Sequence, residues 1–67
     1  MENRILDILH DKNMTIAELS RRTGLHYTHL FSVVHKKDLG TVEIKTLKKI
    51  ADALNVSVED LYKIREE

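Results

Sequence analysis

The chain has 67 residues, 42% hydrophobic and 33% charged, with eleven basic and eleven acidic side chains that cancel to a formal net charge of zero. That length predicts one small domain over residues 1–67, burying only about 60% of its unfolded surface and so dependent on local packing; the apolar share is too high for a disordered chain. No cysteine is present, which excludes disulfides and thiolate metal sites, and no apolar run nears the roughly 18 residues of a membrane span.

The first helix is predicted over about Arg4–Asp11, where Ile5, Leu6, Ile8 and Leu9 make an i, i+3, i+4 stripe. Asn13, tolerant of the left-handed conformation, stops it. A second helix follows over about Ile16–Thr23. Thr15 is its N-cap, Glu18 closes a capping box three residues on, and Met14 and Leu19 flank the box as a hydrophobic staple. Gly24 turns the chain into a third helix over about Tyr27–His35, entered through Leu25 and His26. Leu25 and Leu30 have the spacing of a second staple, although His26 is a poor cap. Lys36–Thr41 contains Gly40 and no apolar periodicity, and reads as a loop. The fourth helix is expected over about Ile44–Leu54, with Ile44, Leu47, Ile50, Ala51 and Leu54 on one face and Asn55 at its end. Ser57, with Asp60 three residues later and Val56 and Leu61 as staple, starts a short fifth helix reaching about Lys63. The expected class is all-α: five helices and no strands.

Residues 15–35, TIAELSRRTGLHYTHLFSVVH, thus spell two short helices hinged at a glycine, which is the helix-turn-helix unit. Such a unit usually lays its second helix in the DNA major groove. The neutral total hides an uneven distribution that agrees. Residues 12–37 carry Lys12, Arg21, Arg22, Lys36 and Lys37 against Glu18, a local charge of +4, while residues 1–11 and 38–67 each sum to −2. A positive field over the unit is what a phosphate backbone requires, although a merely solvated face would look the same.

Taken together, Thr15–Tyr62 resemble the lambdoid-phage repressor and Cro family, also called the XRE-type helix-turn-helix family. The resemblance rests on TIAELSRRTGL, on Leu30 and Val33 in the third helix, and on IKTLKKIADALNVSVEDLYK; with the first helix in front it covers nearly the whole chain. It implies a compact five-helix, lambda-repressor-like DNA-binding domain. Three departures stand out. Ile16 occupies a place where the family often has a glutamine that supports a phosphate contact, leaving that contact to backbone N–H groups at the helix start. Leu9 and Val34 stand where the family often pairs an arginine with a glutamate; exchanging a whole buried ion pair for packed hydrophobes is often neutral or stabilising. The loop Lys36–Glu43 is longer than usual and lacks the usual proline before the fourth helix.

Carried over residue by residue, the resemblance implies base contacts from Tyr27, Thr28 and Ser32, with His26 and His29 close by. Thr28 and Ser32 are four apart and share a face, opposite Leu30 and Val33. Thr28 can offer a methyl to thymine and a hydroxyl to a base edge, Ser32 a hydroxyl, and Tyr27 a ring or hydroxyl; none reads two atoms of a base at once, as arginine does on guanine. Phosphate contacts are expected from Thr15 and Ile16 at the start of the second helix, from His35, Lys36 and Lys37 after the third, and from Lys45 and Thr46 at the start of the fourth. Arg21 and Arg22 lie on a helix that crosses above the groove, where one of them can simply be solvated.

No metal site is expected: His26, His29 and His35 do not share one helix face and cysteine ligands are lacking. No catalytic constellation is present either, and no cofactor or small-molecule ligand is evident. The function expected is a sequence-specific regulator of transcription that binds a palindromic site in double-stranded DNA as a homodimer, joined through the end formed by helices four and five or through the tail Ile64–Glu67. With no signal-peptide pattern at the charged Met1-Glu2-Asn3-Arg4 start, the expected place is the cytoplasm, on the nucleoid. The competing reading is the same fold used as a protein-interaction module, an adaptor, antirepressor or antitoxin-like partner. Neutral net charge and a third helix without arginine or glutamine favour it, and salt dependence separates the two.

Overall fold

The computed structural model describes residues 1–64, in the order β1 (Glu2–Asn3), α1 (Ile5–Asp11), α2 (Ile16–Thr23), α3 (Tyr27–Val34), α4 (Ile44–Leu54), a 3₁₀ turn (Val58–Leu61) and β2 (Tyr62–Lys63). The helix stops follow from local chemistry. Asn13 (φ 54°) and Asn55 (φ 59°) adopt the left-handed conformation that their short polar side chains tolerate, and Gly24 (φ 75°) does so without a Cβ penalty. Thr15 Oγ1 accepts the Glu18 N–H at 3.1 Å, so the N-cap forms. The Glu18 carboxylate turns outward to Arg22 (3.4 Å), and among the described residues the reciprocal half of that capping box is not made.

One apolar core unites the elements: Ile5 and Leu9 of α1, Leu19 of α2, Leu30, Val33 and Val34 of α3, Leu47, Ile50, Ala51 and Leu54 of α4, together with Leu39 and Leu61. Helix α2 packs against both α3 and α4, and the 3₁₀ turn packs against α4. Leu9 and Val34, the positions of the family's ion pair, are 3% and 2% exposed and belong to this cluster.

Four expectations are corrected. The chain is mostly helical, as expected, but the expectation of no strands gives way: among the described residues four α-helices are accompanied by a two-stranded antiparallel sheet, Glu2 opposite Lys63 and Asn3 opposite Tyr62. The fifth helix is one turn of 3₁₀ geometry: Asp60 Oδ2 accepts the Ser57 N–H at 3.0 Å, but after Leu61 the chain extends to pair with β1. Leu61 is its one fully buried residue, and a single turn suffices to bury it. Ile44 and Leu6, expected on apolar faces, are 68% and 42% exposed. Each lies at the start of its helix, where the core positions begin one turn on for Ile44, at Leu47, and are already taken by Ile5 and Leu9 for Leu6. Leu39, in the stretch read as loop, is 1% exposed and is a core residue delivered by an irregular segment.

That segment is ordered by β1. Glu2 bridges to Asp38, the Asn3 N–H donates to Lys37 O (3.3 Å) and the Leu39 N–H to Met1 O (3.1 Å), so β1 lies between β2 and the chain following α3. Asp38 closes the turn by accepting the Gly40 N–H at 2.6 Å and pairs with the N-terminal amine at 3.3 Å; these hold its carboxyl below its ordinary pKa. The Asn3 side chain joins two helix ends at once. Its Nδ2 donates to the carbonyls of Val33 (2.9 Å), Val34 (3.2 Å) and Lys36 (2.8 Å), and its Oδ1 accepts the Ile5 N–H (2.9 Å). It therefore caps the C-terminal end of α3 and the N-terminal end of α1. Asn3→Ala is expected to cost about 1–3 kcal/mol by leaving these backbone groups without their partner. Urea denaturation measures it, and a loss near zero would show that water replaces the amide.

Candidate nucleic-acid interface

The interface is built from the α2–α3 corner outward. Gly24 donates its N–H to Ser20 O (2.9 Å) at the end of α2. Two hydroxyls then lock the turn. Ser20 Oγ donates to Leu25 O at 2.5 Å, while Thr23 Oγ1 donates to Leu19 O (2.8 Å) and accepts the Leu25 N–H (3.2 Å). These bonds bind the start of α3 to α2, so the angle between the helices rests on Ser20 and Thr23 as well as on the glycine. Sequence reasoning singled out neither hydroxyl; Ser20 and Thr23 four and one residues before the turn glycine were the available signal.

Helix α3 has two distinct sides. Leu30, Val33 and Val34 are buried, whereas His26, Tyr27, Thr28, His29, Phe31, Ser32 and His35 are exposed. All five side chains expected to touch bases lie on the exposed side. His26 takes the N-cap conformation without a side-chain cap bond, as its poor capping chemistry implies. From Leu19 to Lys37 the chain has no acidic residue, so the outward side of α3 carries only neutral and basic groups.

The expected phosphate contacts divide into three places. Thr15 is exposed and Ile16 half-buried against the core; the N–H groups of Ile16 and Ala17, in the first turn of α2, have no intrahelical acceptor and point along the helix axis. Lys36 borders a shallow hollow of about 160 Å³ that it shares with His29, Ser32, Val33, Thr41, Val42, Glu43 and Thr46, which brings together one expected phosphate contact after α3, one at the start of α4 and two expected base contacts. Glu43, at the N-cap of α4, is the carboxylate in this group. Lys37 is placed elsewhere: it borders a separate hollow with Met1, Glu2, Asp38 and Ile64. Adjacent in sequence, the two lysines are parted because the backbone at Lys37 turns to meet β1. Lys45 is exposed on α4 and Thr46 half-buried. Arg22 is committed to Glu18, and Arg21 has no ion-pair partner among the described residues.

Two ring contacts complete the surface. Tyr27 and Phe31 have centroids 6.2 Å apart, and Phe31 and His35 4.2 Å apart, forming a column along one flank of α3. His35 Nδ1 lies 2.8 Å from Phe31 O; a carbonyl only accepts, so this contact places a proton on Nδ1. Phe31 was not among the expected site residues. Its signal was the i, i+4, i+8 spacing of Tyr27, Phe31 and His35. Among the described residues no group of three or more His, Asp or Glu side chains is placed to hold a metal ion, and no helix is long and apolar enough to cross a membrane.

A family model described as the Cro/C1-type helix-turn-helix DNA-binding domain matches residues 4–67. The chain belongs to the Cro/C1-type helix-turn-helix family. It is also similar to an SPbeta prophage-derived uncharacterized HTH-type transcriptional regulator, YopS, of Bacillus subtilis (strain 168), with 38% identity over 65 residues, 94% of this chain and 84% of the relative. No solved structure gives a significant match.

Proposed function

We propose that the protein is a sequence-specific regulator of transcription that inserts α3 into the major groove of double-stranded DNA, in the cytoplasm, as a homodimer on a palindromic site. The observation that carries this reading is the outward side of α3: polar and aromatic, free of carboxylates, and mounted on a corner locked by Gly24, Ser20 and Thr23. Eight helical residues span about 12 Å, and the major groove is about 12 Å wide. Thr28 and Ser32 supply hydroxyls to base edges, Tyr27, His26 and His29 flank them, and Thr15, Ile16, His35, Lys36, Lys37, Lys45 and Thr46 hold the backbone. One unit of this size makes too few contacts for useful specificity, which is why two copies are invoked. Ile64, 65% exposed beside β2, is the part of the expected dimer tail whose position is known; the remainder, residues 65–67, lies outside the described residues. The protein-interaction reading draws on the exposed Phe31 and Ile44 side chains.

Salt separates these readings. Binding of the purified protein to duplex DNA should weaken steeply as salt rises, and Lys36→Ala should flatten the slope by about one unit while weakening operator and random duplexes alike. Lys37→Ala should do the same if the backbone reaches round to the β1 side, and less if contact is confined to the hollow at Lys36. Binding indifferent to salt would favour the protein-interaction module.

A further inference from the structure

Leu30, Val33 and Val34 fill the core side of α3, so packing does not demand a phenylalanine at position 31, yet Phe31 stands on the surface 48% exposed. Tyr27 above it is 49% exposed, and His35 stacks below it at 4.2 Å. At 3.6 residues per turn, the Tyr27–Phe31–His35 column runs immediately beside the Thr28–Ser32 column. An apolar ring on a free surface costs solvation unless something covers it.

We propose that Phe31 is a base-reading residue that packs on the 5-methyl group of thymine, and so selects A·T pairs beside the positions read by Thr28 and Ser32. The inference rests on the DNA-binding reading and goes beyond it by naming a base and an atom. Three observations choose this occupant over an apolar protein surface. The column stands on the helix that the DNA-binding reading lays in the groove; the sequence from Leu19 to Lys37 carries no carboxylate; and Lys36, which shares a hollow with His29 and Ser32 of the same helix, supplies charge that a phosphate backbone matches. In the major groove the thymine methyl is the one apolar group a base edge offers, and a phenylalanine can meet it where a hydroxyl gains nothing. The neighbouring rings limit the rotamers open to Phe31, so little side-chain freedom is lost on contact.

The test uses the whole protein and duplexes it selects from a random pool, each remade with dU in place of dT at one position at a time. Removing the methyl should weaken binding about three- to fivefold at one or two positions per half-site, the loss corresponding to one buried methyl group. Phe31→Ala should bind the dT and dU duplexes equally, and Phe31→Leu should keep part of the preference; thermal melts of both should stay close to the parent. Wild-type binding that is insensitive to every dT→dU change would overturn the proposal while leaving DNA recognition intact. Sensitivity surviving in Phe31→Ala would overturn the assignment to this ring and pass it to the Thr28 methyl. Recovery of no preferred duplex, or tight salt-insensitive binding of an apolar peptide at Phe31, would overturn it together with the reading beneath it.

Discussion

Leu9→Arg is expected to be the most damaging single substitution in the chain. Leu9 is 3% exposed, in the same apolar cluster as Val34 at 2%. Removing the leucine as alanine already costs about 2–5 kcal/mol through the cavity it leaves. Arginine adds the cost of a charge with no buried carboxylate to meet it, since among the described residues no polar or charged side chain is buried. A core this small rarely supplies more than about 3–5 kcal/mol in total, so the variant should be largely unfolded at room temperature by circular dichroism. Adding Val34→Glu should restore part of the loss by giving the arginine its partner. A single Leu9→Arg variant that melts like the parent would show that the side chain escapes to solvent and that α1 is not held at this point.

Leu30→Ala is expected to lose about 2–5 kcal/mol, because Leu30 is fully buried in the middle of α3. Whatever fraction stays folded should keep the base preference of the parent. Thr28 and Ser32, exposed two positions to either side, should behave in the opposite way: their substitution leaves stability within the range of ordinary surface changes, about ±0.5 kcal/mol. Urea denaturation of the three variants checks this division. Thr28→Ala or Ser32→Ala as destabilising as Leu30→Ala would mean that these hydroxyls hold the fold.

The helical part of this division was legible in the sequence because each helix announces itself in a few neighbouring residues: Thr15 with Glu18, Gly24, Asn13, Asn55, and an apolar stripe at 3.6-residue spacing. What escaped depends on residues distant in sequence. Strands of two residues carry no alternation to detect, and β1 exists only because Tyr62–Lys63 returns beside it. Asn3 stands next to the first helix, a position that suggests a cap, but its bonds to Val33, Val34 and Lys36 span thirty or more residues and leave no local trace. Leu39 looked like a loop residue because a single apolar side chain has no period. Ile44 erred the other way: a helical spacing placed it on the core face, and the helix began one turn too early for the core to reach it. The site was readable as a set of positions on one helix. The separation of Lys36 from Lys37 was not, since it arises where the chain bends to meet β1.

Base reading by α3 rests on Thr28 and Ser32, and selection of bound duplexes from a random pool, by the wild-type protein and by folded Thr28 and Ser32 variants in parallel, decides it. The wild type should yield a defined preferred sequence and each variant an altered base at one or two positions per half-site, at about 1–3 kcal/mol each. The same preferred sequence in every folded variant, or none in the wild type, would contradict it.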